Sequence, residues 1–349
     1  MILVTGATGL LGTYLLIELS EKESKPIKAT FRSESKKAKC RDAFIKYNPY
    51  ANAKKKWGKI IWIETDINNI PKLSVAFIDV SEVYHCAGYI SFISSEFEQL
   101  KKINIEGTAN VVNMALAKNV TKFCHVSSIA TLNLNPGETT LNEDSKWNSE
   151  ADNTAYAISK FGAEMEVWRG VQEGLNATIV NPGVIIGCGF FDTGSGKIFK
   201  NISRGIPFYT SGKTGYIGIF DCVKAMHFLM KNNLFNNRYV LISENKTHKE
   251  ILDTVCSNLL IKAPNKTISK KWLIIFAYAE EVLNRILGYT PKIPLETINS
   301  FYNTSVYDNK KITKTLNWTF EKIDNCLIKT STDYQYSLVD SSSSSESSS

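Results

Sequence analysis

The chain opens MILVTGATGLLG, and three glycines, Gly6, Gly9 and Gly12, stand between an apolar run, Ile2 to Val4, and an apolar-rich stretch from Leu10 to Leu19. Glycines placed between a strand pattern and a helix pattern make a phosphate-binding turn. The first permits a tight turn, the second lets backbone N–H groups approach a pyrophosphate at the helix N-terminus, and the third allows close helix–strand packing. The spacing is G-x-x-G-x-x-G, which differs from the G-x-G-x-x-G of the simplest dinucleotide fingerprint.

Such a turn needs a parallel sheet behind it, and the chain supplies the pattern. Strand-like runs at 27–31, 59–64, 82–86, 122–126 and 177–180 alternate with helical segments at 10–20, 98–118 and 154–173. The alternation predicts an α/β fold, a Rossmann-type doubly wound parallel sheet over residues 1–183. With 349 residues there is chain to spare, which predicts a smaller C-terminal substrate-binding lobe over 184–335. Segments at about 215–245, including RYVLIS at 238–243, are expected to return to the sheet, and helices are expected at 248–260 and 272–287. Residues 336–349, ending in a run of serines, are expected to form a disordered tail.

Composition narrows the class. At 43% hydrophobic and 21% charged residues the chain reads as globular, not as a disordered or membrane-bundle protein. The net charge is +7, but the lysines are scattered; the dense clusters are Lys36, Lys37, Lys39 and Arg41, then Lys54 to Lys56. A solvated face is the reading, so no nucleic-acid partner is expected. Seven cysteines without a C-x-x-C pair read as reduced thiols in the cytoplasm, and with a strand expected from Ile2 no secretory signal is expected. The longest apolar stretch, WLIIFAYA at 272–279, runs into Glu280 and is too short to span a bilayer. It reads as an amphipathic helix of the core or of a lid over a pocket, with no membrane partner expected.

Two further motifs carry chemistry. In Tyr156-Ala-Ile-Ser-Lys160 a spacing of four puts phenol and ammonium on one helix face, where the cation favours the phenolate and opens proton transfer to the tyrosine. Ser127 and Ser128 end a strand-like run about thirty residues upstream, at the carboxyl edge of the sheet, where a hydroxyl can hydrogen-bond a substrate carbonyl. His85 and His125 also end apolar runs, but no other ligand stands at metal-binding spacing, so both read as core and no metal is expected.

The chain resembles the extended short-chain dehydrogenase/reductases of the NAD-dependent epimerase/dehydratase superfamily, most nearly the dihydroflavonol reductase-like and 3β-hydroxysteroid dehydrogenase-like members. The resemblance covers residues 1–335 and rests on ordered matches: TGATGLLG, FR, ETD, VYHCAG, NIEGTANVV, HVSSIA, YAISK, VNPGVIIG, GIFDCVKAM and VYDNKKI. It implies Tyr156 as general acid/base, Lys160 holding the nicotinamide ribose and lowering the tyrosine's pKa, and Ser128 polarising the carbonyl. It implies cofactor contacts from Gly6, Thr8, Gly9, Leu10, Leu11 and Gly12, from Asp66 and Ile67 beside the adenine, and from Ala87 and Gly88. Pro182, Gly183 and Val184 would meet the nicotinamide amide. Asn104 matches an asparagine that is structural or relay-related, and Trp147 lies in a loop that faces substrate in relatives. Pairing of the two long helices into a homodimer is a further implication.

Cofactor choice turns on the end of the second strand, where an acidic residue would bind the ribose 2′-hydroxyl of NAD. Here Arg32 stands instead, backed by Lys36, Lys37 and Lys39, which suits the 2′-phosphate of NADP. NADP is therefore expected, with NAD left open by the nearby Glu34. The expected function is NAD(P)-dependent hydride transfer between nicotinamide and a carbonyl or secondary alcohol. Its rivals are an NAD-dependent nucleotide-sugar epimerase or dehydratase and a non-catalytic cofactor sensor. Phe, Tyr, Ile and Leu in the C-terminal part point to a small, apolar or aromatic substrate.

Overall fold

Every side chain of the first strand is buried, as a strand covered on both faces requires. The computed structural model describes residues 1–134, 137–287 and 295–346. From the N-terminus, β1 (Ile2–Thr5), α1 (Leu10–Lys22), β2 (Ile27–Phe31), α2 (Glu34–Lys46), α3 (Ala53–Trp57) and β3 (Ile61–Glu64) build one half of a sheet. The other half is built by α4 (Ile70–Ala76), β4 (Glu82–His85), α5 (Phe97–Leu100), α6 (Gly107–Ala117), β5 (Lys122–Val126), α7 (Ala155–Gln172) and β6 (Ala177–Pro182).

All seven strands of this sheet are parallel, in the order β3-β2-β1-β4-β5-β6-β9, with β9 (Asn237–Leu241) on the far edge. The order reverses between β1 and β4, the switch point at whose carboxyl ends sheets of this kind form a binding crevice. This is the Rossmann-like α/β fold that the alternating pattern predicts.

The helix expected over 98–118 is three pieces: α5, a π-helical segment at Lys101–Glu106, and α6. The π segment buries Ile103 and Asn104. An i→i+5 turn inserts one residue without changing composition, so apolar spacing does not reveal it.

Beyond β6 the chain steps into a second sheet of order β10-β8-β7, made by β7 (Val184–Ile186), β8 (Lys213–Gly218) and β10 (Glu244–Thr247). Between these run α8 (Lys197–Ser203) and α9 (Ile219–Lys231), followed by α10 (His248–Asn258), α11 (Lys270–Leu287), α12 (Lys310–Thr315) and α13 (Ile323–Glu346). Phe199, Tyr216, Val255 and Leu327 form a core for this part of the molecule. Of the segment expected to return to the main sheet, α9 packs into the same core as α1 and β9 pairs with β6, whereas β8 belongs to the small sheet.

The helix α13 takes in most of the stretch expected to be disordered. Its first turns are anchored by buried Ile323, Leu327, Ser331 and Tyr334, and elongation from a packed start adds one bond per residue, which serine tolerates. The expectation for residues 347–349 lies outside the described residues.

Candidate active site

The glycine turn is built as the spacing requires. Gly6 sits at φ +67°, and a Cβ there would lie 2.5 Å from the Ala87 nitrogen. At Gly12 a Cβ would lie 2.3 Å from the Gly6 carbonyl oxygen, so α1 rests directly on the turn. Gly9 is the N-cap of α1 and offers no side-chain cap, while its own N–H donates to the Gly6 carbonyl at 3.1 Å. The first N–H groups of α1, at Leu10, Leu11 and Gly12, therefore lack a capping side chain, and a helix start of this kind suits an anionic phosphate. Thr8 is half-buried beside them.

Across the crevice, Ala87 and Gly88 follow β4. The next residue, Tyr89, is clamped by Asn104, whose Oδ1 accepts from the Tyr89 N–H at 2.7 Å and whose Nδ2 donates to the Tyr89 carbonyl at 2.9 Å. The same Nδ2 donates to Ser159 Oγ at 2.9 Å, tying the loop to α7. Thus the π segment serves to hold the backbone around Gly88. At the other seam, a Cβ on Gly183 would lie 2.3 Å from the Gly215 carbonyl oxygen, so only glycine fits where the chain leaves Pro182 for Val184 and the small sheet.

At the end of β2, Arg32 Nη1 pairs with Asp66 Oδ2 at 3.2 Å. The two line a cleft of about 600 Å³ with Asn68, Gln99, Lys102 and Ile103. Lys37 lies over the Phe31 ring, 4.4 Å from its centroid, and pairs with Glu34 at 3.3 Å, while Lys36 and Lys39 are exposed. Ile67 is buried, and a Cβ on Gly107 would meet its Cδ1 at 2.4 Å. Its side chain thus fills the core beneath the cleft.

The proposed catalytic residues converge at the carboxyl ends of β4 and β5. Thr154 caps α7 by accepting from the Ala157 N–H at 3.2 Å, which starts the helix two residues before Tyr156. One turn on, Lys160 Nζ donates to the Val126 carbonyl at 2.6 Å, and it is 3.9 Å from where a Cβ on Gly88 would be. Burial lowers the Lys160 ammonium from 10.5 to about 8, with Glu164 and Cys86 acting in the opposite direction. Burial raises the Tyr156 phenol above its usual 10, and the Ser128 hydroxyl draws it back. Ser128 Oγ also accepts from the Ala130 N–H at 3.1 Å, which fixes its rotamer. Phe92 packs edge-on to the Tyr156 ring at 5.5 Å. Beside the start of α7 a second cleft, of about 560 Å³, is lined by Phe97, Thr154, Ile158, Leu295 and Asn299.

Trp147 stacks on Phe161 at 4.4 Å, on the flank of α7. His85 is a core residue held between Thr5 Oγ1 at 2.7 Å and Thr108 Oγ1 at 2.9 Å, and it stacks on His125 at 5.3 Å. Among the described residues no group of three or more His, Cys, Asp or Glu side chains could hold a metal ion.

Residues 4–237 match the NAD-binding family described as male sterility protein. The chain belongs to this family. A protein named as a dihydroflavonol 4-reductase in Synechocystis sp. is 26% identical over 320 residues, covering 90% of this chain and 88% of that one. Among solved structures, gox2253 aligns with a TM-score of 0.77 at 23% identity, covering 96% of this chain and 98% of that one. Yeast methylglyoxal/isovaleraldehyde reductase Gre2 complexed with NADPH aligns with a TM-score of 0.69 at 22% identity, covering 95% and 97%. The extended short-chain dehydrogenase/reductase resemblance holds, and the chain is an NAD(P)-dependent oxidoreductase of this male sterility protein family.

One member of the site went unread in the sequence. Glu164, a turn beyond Lys160 on α7, is fully buried. Its Oε2 accepts from Ser127 Oγ at 2.7 Å, Thr131 Oγ1 at 3.2 Å and Asn181 Nδ2 at 3.0 Å. Its Oε1 accepts from Arg238 Nη1 at 3.1 Å and Trp168 Nε1 at 3.4 Å. One carboxylate therefore joins α7 to the ends of β5, β6 and β9. Asn181 Nδ2 adds a bond to the Ser128 carbonyl at 3.1 Å. The continued spacing of four, Tyr156, Lys160, Glu164, is the signal that could have found it.

Proposed function

We propose that the protein is an NADP-dependent reductase or dehydrogenase of carbonyl and secondary alcohol groups, with Tyr156 as its general acid/base. The observation that carries this reading is the meeting of Tyr156, Ser128 and Lys160 beside Gly88, opposite the glycine turn. The bound nicotinamide supplies or accepts the hydride. In the reducing direction Tyr156 protonates the carbonyl oxygen as the carbon is reduced, and Ser128 orients that oxygen by hydrogen bonding. Lys160, already anchored on the Val126 carbonyl, holds the ribose and offers a cation to the phenolate that forms. Alcohol oxidation runs the same transfers backwards.

The cofactor preference is inferred from Arg32, with Lys36 and Lys39 near it on α2. The exposed side chain of Phe92, which packs on Tyr156, and that of Ile90 two residues before it support an apolar or aromatic substrate. Exposed Ile158 and Met165 on α7 support pairing of two copies through this helix, and seven free thiols support a reducing compartment such as the cytoplasm.

Titrating the purified protein with NADPH and with NADH, and assaying for nucleotide that survives purification, tests this reading. Tight NADPH binding to empty protein, with Tyr156→Phe retaining it while losing about 10²–10⁴-fold in turnover, is the expected result. Co-purified NAD with no response to NADPH would favour the epimerase instead. Turnover unchanged in Tyr156→Phe would sink the acid/base assignment.

A further inference from the structure

The helix α11 has two apolar sides and only one is covered. Leu273 and Ala277 are buried and pack with Ile298, and Glu280, on the same stripe, is buried as well. At about 100° per residue, Trp272, Ile275, Phe276, Ala279 and Leu283 fall on an arc of about 100° facing away from that stripe. The four large side chains of this arc are between 44% and 67% exposed, which is far more than a core helix or a closed lid would leave. Tyr278, also exposed, lies at the flank.

The segment that leads into this face carries charge of one sign. From Thr254 to Ala279 the sequence contains no aspartate or glutamate, but four lysines, Lys262, Lys266, Lys270 and Lys271. All four are exposed, and none forms an ion pair among the described residues. The lysines just before this stretch, by contrast, meet acids: Lys246 pairs with Asp324 and Lys249 with Asp253.

We propose that α11 and the lysines leading into it dock the protein on the surface of a membrane containing anionic phospholipids. An interfacial helix buries an apolar face at the headgroup boundary while cations beside it meet lipid phosphates and carboxylates. Trp272 and Tyr278 suit that depth because their rings are apolar and their N–H and O–H remain hydrogen-bonded at the wet edge. The lysine stems extend the apolar contact while their ammonium groups stay in water.

A second copy of this chain is the weaker occupant. A two-fold interface sets the same patch against itself, which would bring the four lysines of each copy together with no acid from 254–279 to offset them. A bilayer crossing is a different matter: among the described residues no helix is long and apolar enough. Leu273 and Ala277 give WLIIFAYA the core side expected of it, and under this proposal its other side meets a membrane, a partner not expected from the sequence. The inference stands whatever carbonyl compound the active site takes.

The test is co-sedimentation of the whole protein with vesicles of phosphatidylcholine alone and of phosphatidylcholine mixed with phosphatidylserine. The expected result is binding to the mixed vesicles only, weakened by raising the salt. Replacing Lys270 and Lys271 by Gln should weaken it by roughly 10- to 30-fold. Trp272→Ser with Phe276→Ser should abolish it while NADPH binding and the melting temperature stay unchanged. Equal or absent binding of the wild-type protein to the two vesicle types overturns the proposal, even where a variant fails to fold. Self-association lost in the Trp272/Phe276 variant, without vesicle binding, would assign the face to a second copy and overturn it too.

Discussion

Arg32 Nη1 lies 3.2 Å from Asp66 Oδ2 at the cleft that both residues line, so the guanidinium proposed to read a 2′-phosphate is engaged by a carboxylate. Both groups are substantially exposed, and the pair therefore contributes little to folding. Its consequence lies in binding. Arg32→Ala is expected to weaken NADPH by roughly 10- to 100-fold, the value of a charge-assisted contact to phosphate, and to leave NADH nearly unchanged. Asp66→Asn removes a competitor for Arg32 and a like charge near the phosphate, so NADPH should tighten relative to NADH by a few-fold. Calorimetric titration of both nucleotides against the three proteins measures this. An equal loss for both nucleotides in Arg32→Ala would show that Arg32 does not read the 2′ position.

Glu164 links the catalytic helix to three strand ends, and its removal strands donors in a dry interior. Glu164→Ala leaves Arg238, Ser127 and Asn181 without their shared acceptor, a loss of about 3–5 kcal/mol by the usual cost of breaking a buried ion pair. Glu164→Gln keeps the volume but turns an amide N–H toward groups that themselves donate, so it should fall between wild type and Ala. Thermal and urea denaturation rank the three. The Gln variant should also lose turnover more than NADPH affinity, because Ser127 and Asn181 position Ser128 and not the glycine turn. A Gln variant as stable and active as wild type would remove Glu164 from the site.

The parts of this molecule that could be read in advance are those with a local signature. The first strand is a continuous apolar run, Ile2 to Val4, that ends at the glycine turn, and the glycines of residues 6–12 can only mean a close backbone approach. What stayed hidden is non-local or silent in composition. The Arg32–Asp66 pair joins residues that follow the neighbouring strands β2 and β3, and no spacing rule brings them together. Glu164 at helical spacing from Lys160 reads as a solvated charge, and only the strand ends packed over it make it buried. The π turn around Asn104 adds a residue without a mark. Trp272, Ile275 and Phe276 looked like core because an apolar helix normally is, and one helix cannot report how many neighbours it will find.

Lys160 is a buried cation, and folding must desolvate it. Its folded pKa is about 8 against 10.5 in the open chain, so between these values the unfolded state binds more protons and stability rises with pH. Below about pH 8 the full cost of the buried charge is present. Lys160→Met should therefore melt higher than wild type near neutral pH despite losing the bond to Val126, and the gap should close as pH is raised from about 8 towards 10.5. Melting curves of both proteins across that range decide it. A variant that melts lower at neutral pH would mean that the Val126 and Glu164 interactions outweigh the desolvation.

His125 carries the remaining cost. A neutral imidazole always holds one N–H, and both ring nitrogens of His125 are buried without a hydrogen-bond partner among the described residues. An unsatisfied buried donor costs about 1–3 kcal/mol. The ring stacks on His85 at 5.3 Å in a neighbourhood that includes Phe123, so an aromatic hydrocarbon fits the space. Burial, with Lys160 close by, holds the pKa of His125 well below 6.5 and that of His85 at about 3. The unfolded chain takes up protons on both as pH falls below 6.5, while the folded one does not, and stability drains away through that window. His125→Phe removes both the orphaned N–H and one of the two acid-sensitive groups. It should stabilise the protein by about 1 kcal/mol near pH 7, with a gain that grows as pH falls below 6.5. Urea denaturation at neutral and mildly acidic pH measures both effects. A gain that stays constant with pH would leave the packing and orphaned-donor argument standing and remove the titration from it; a loss at both values would mean that His125 is satisfied in solution.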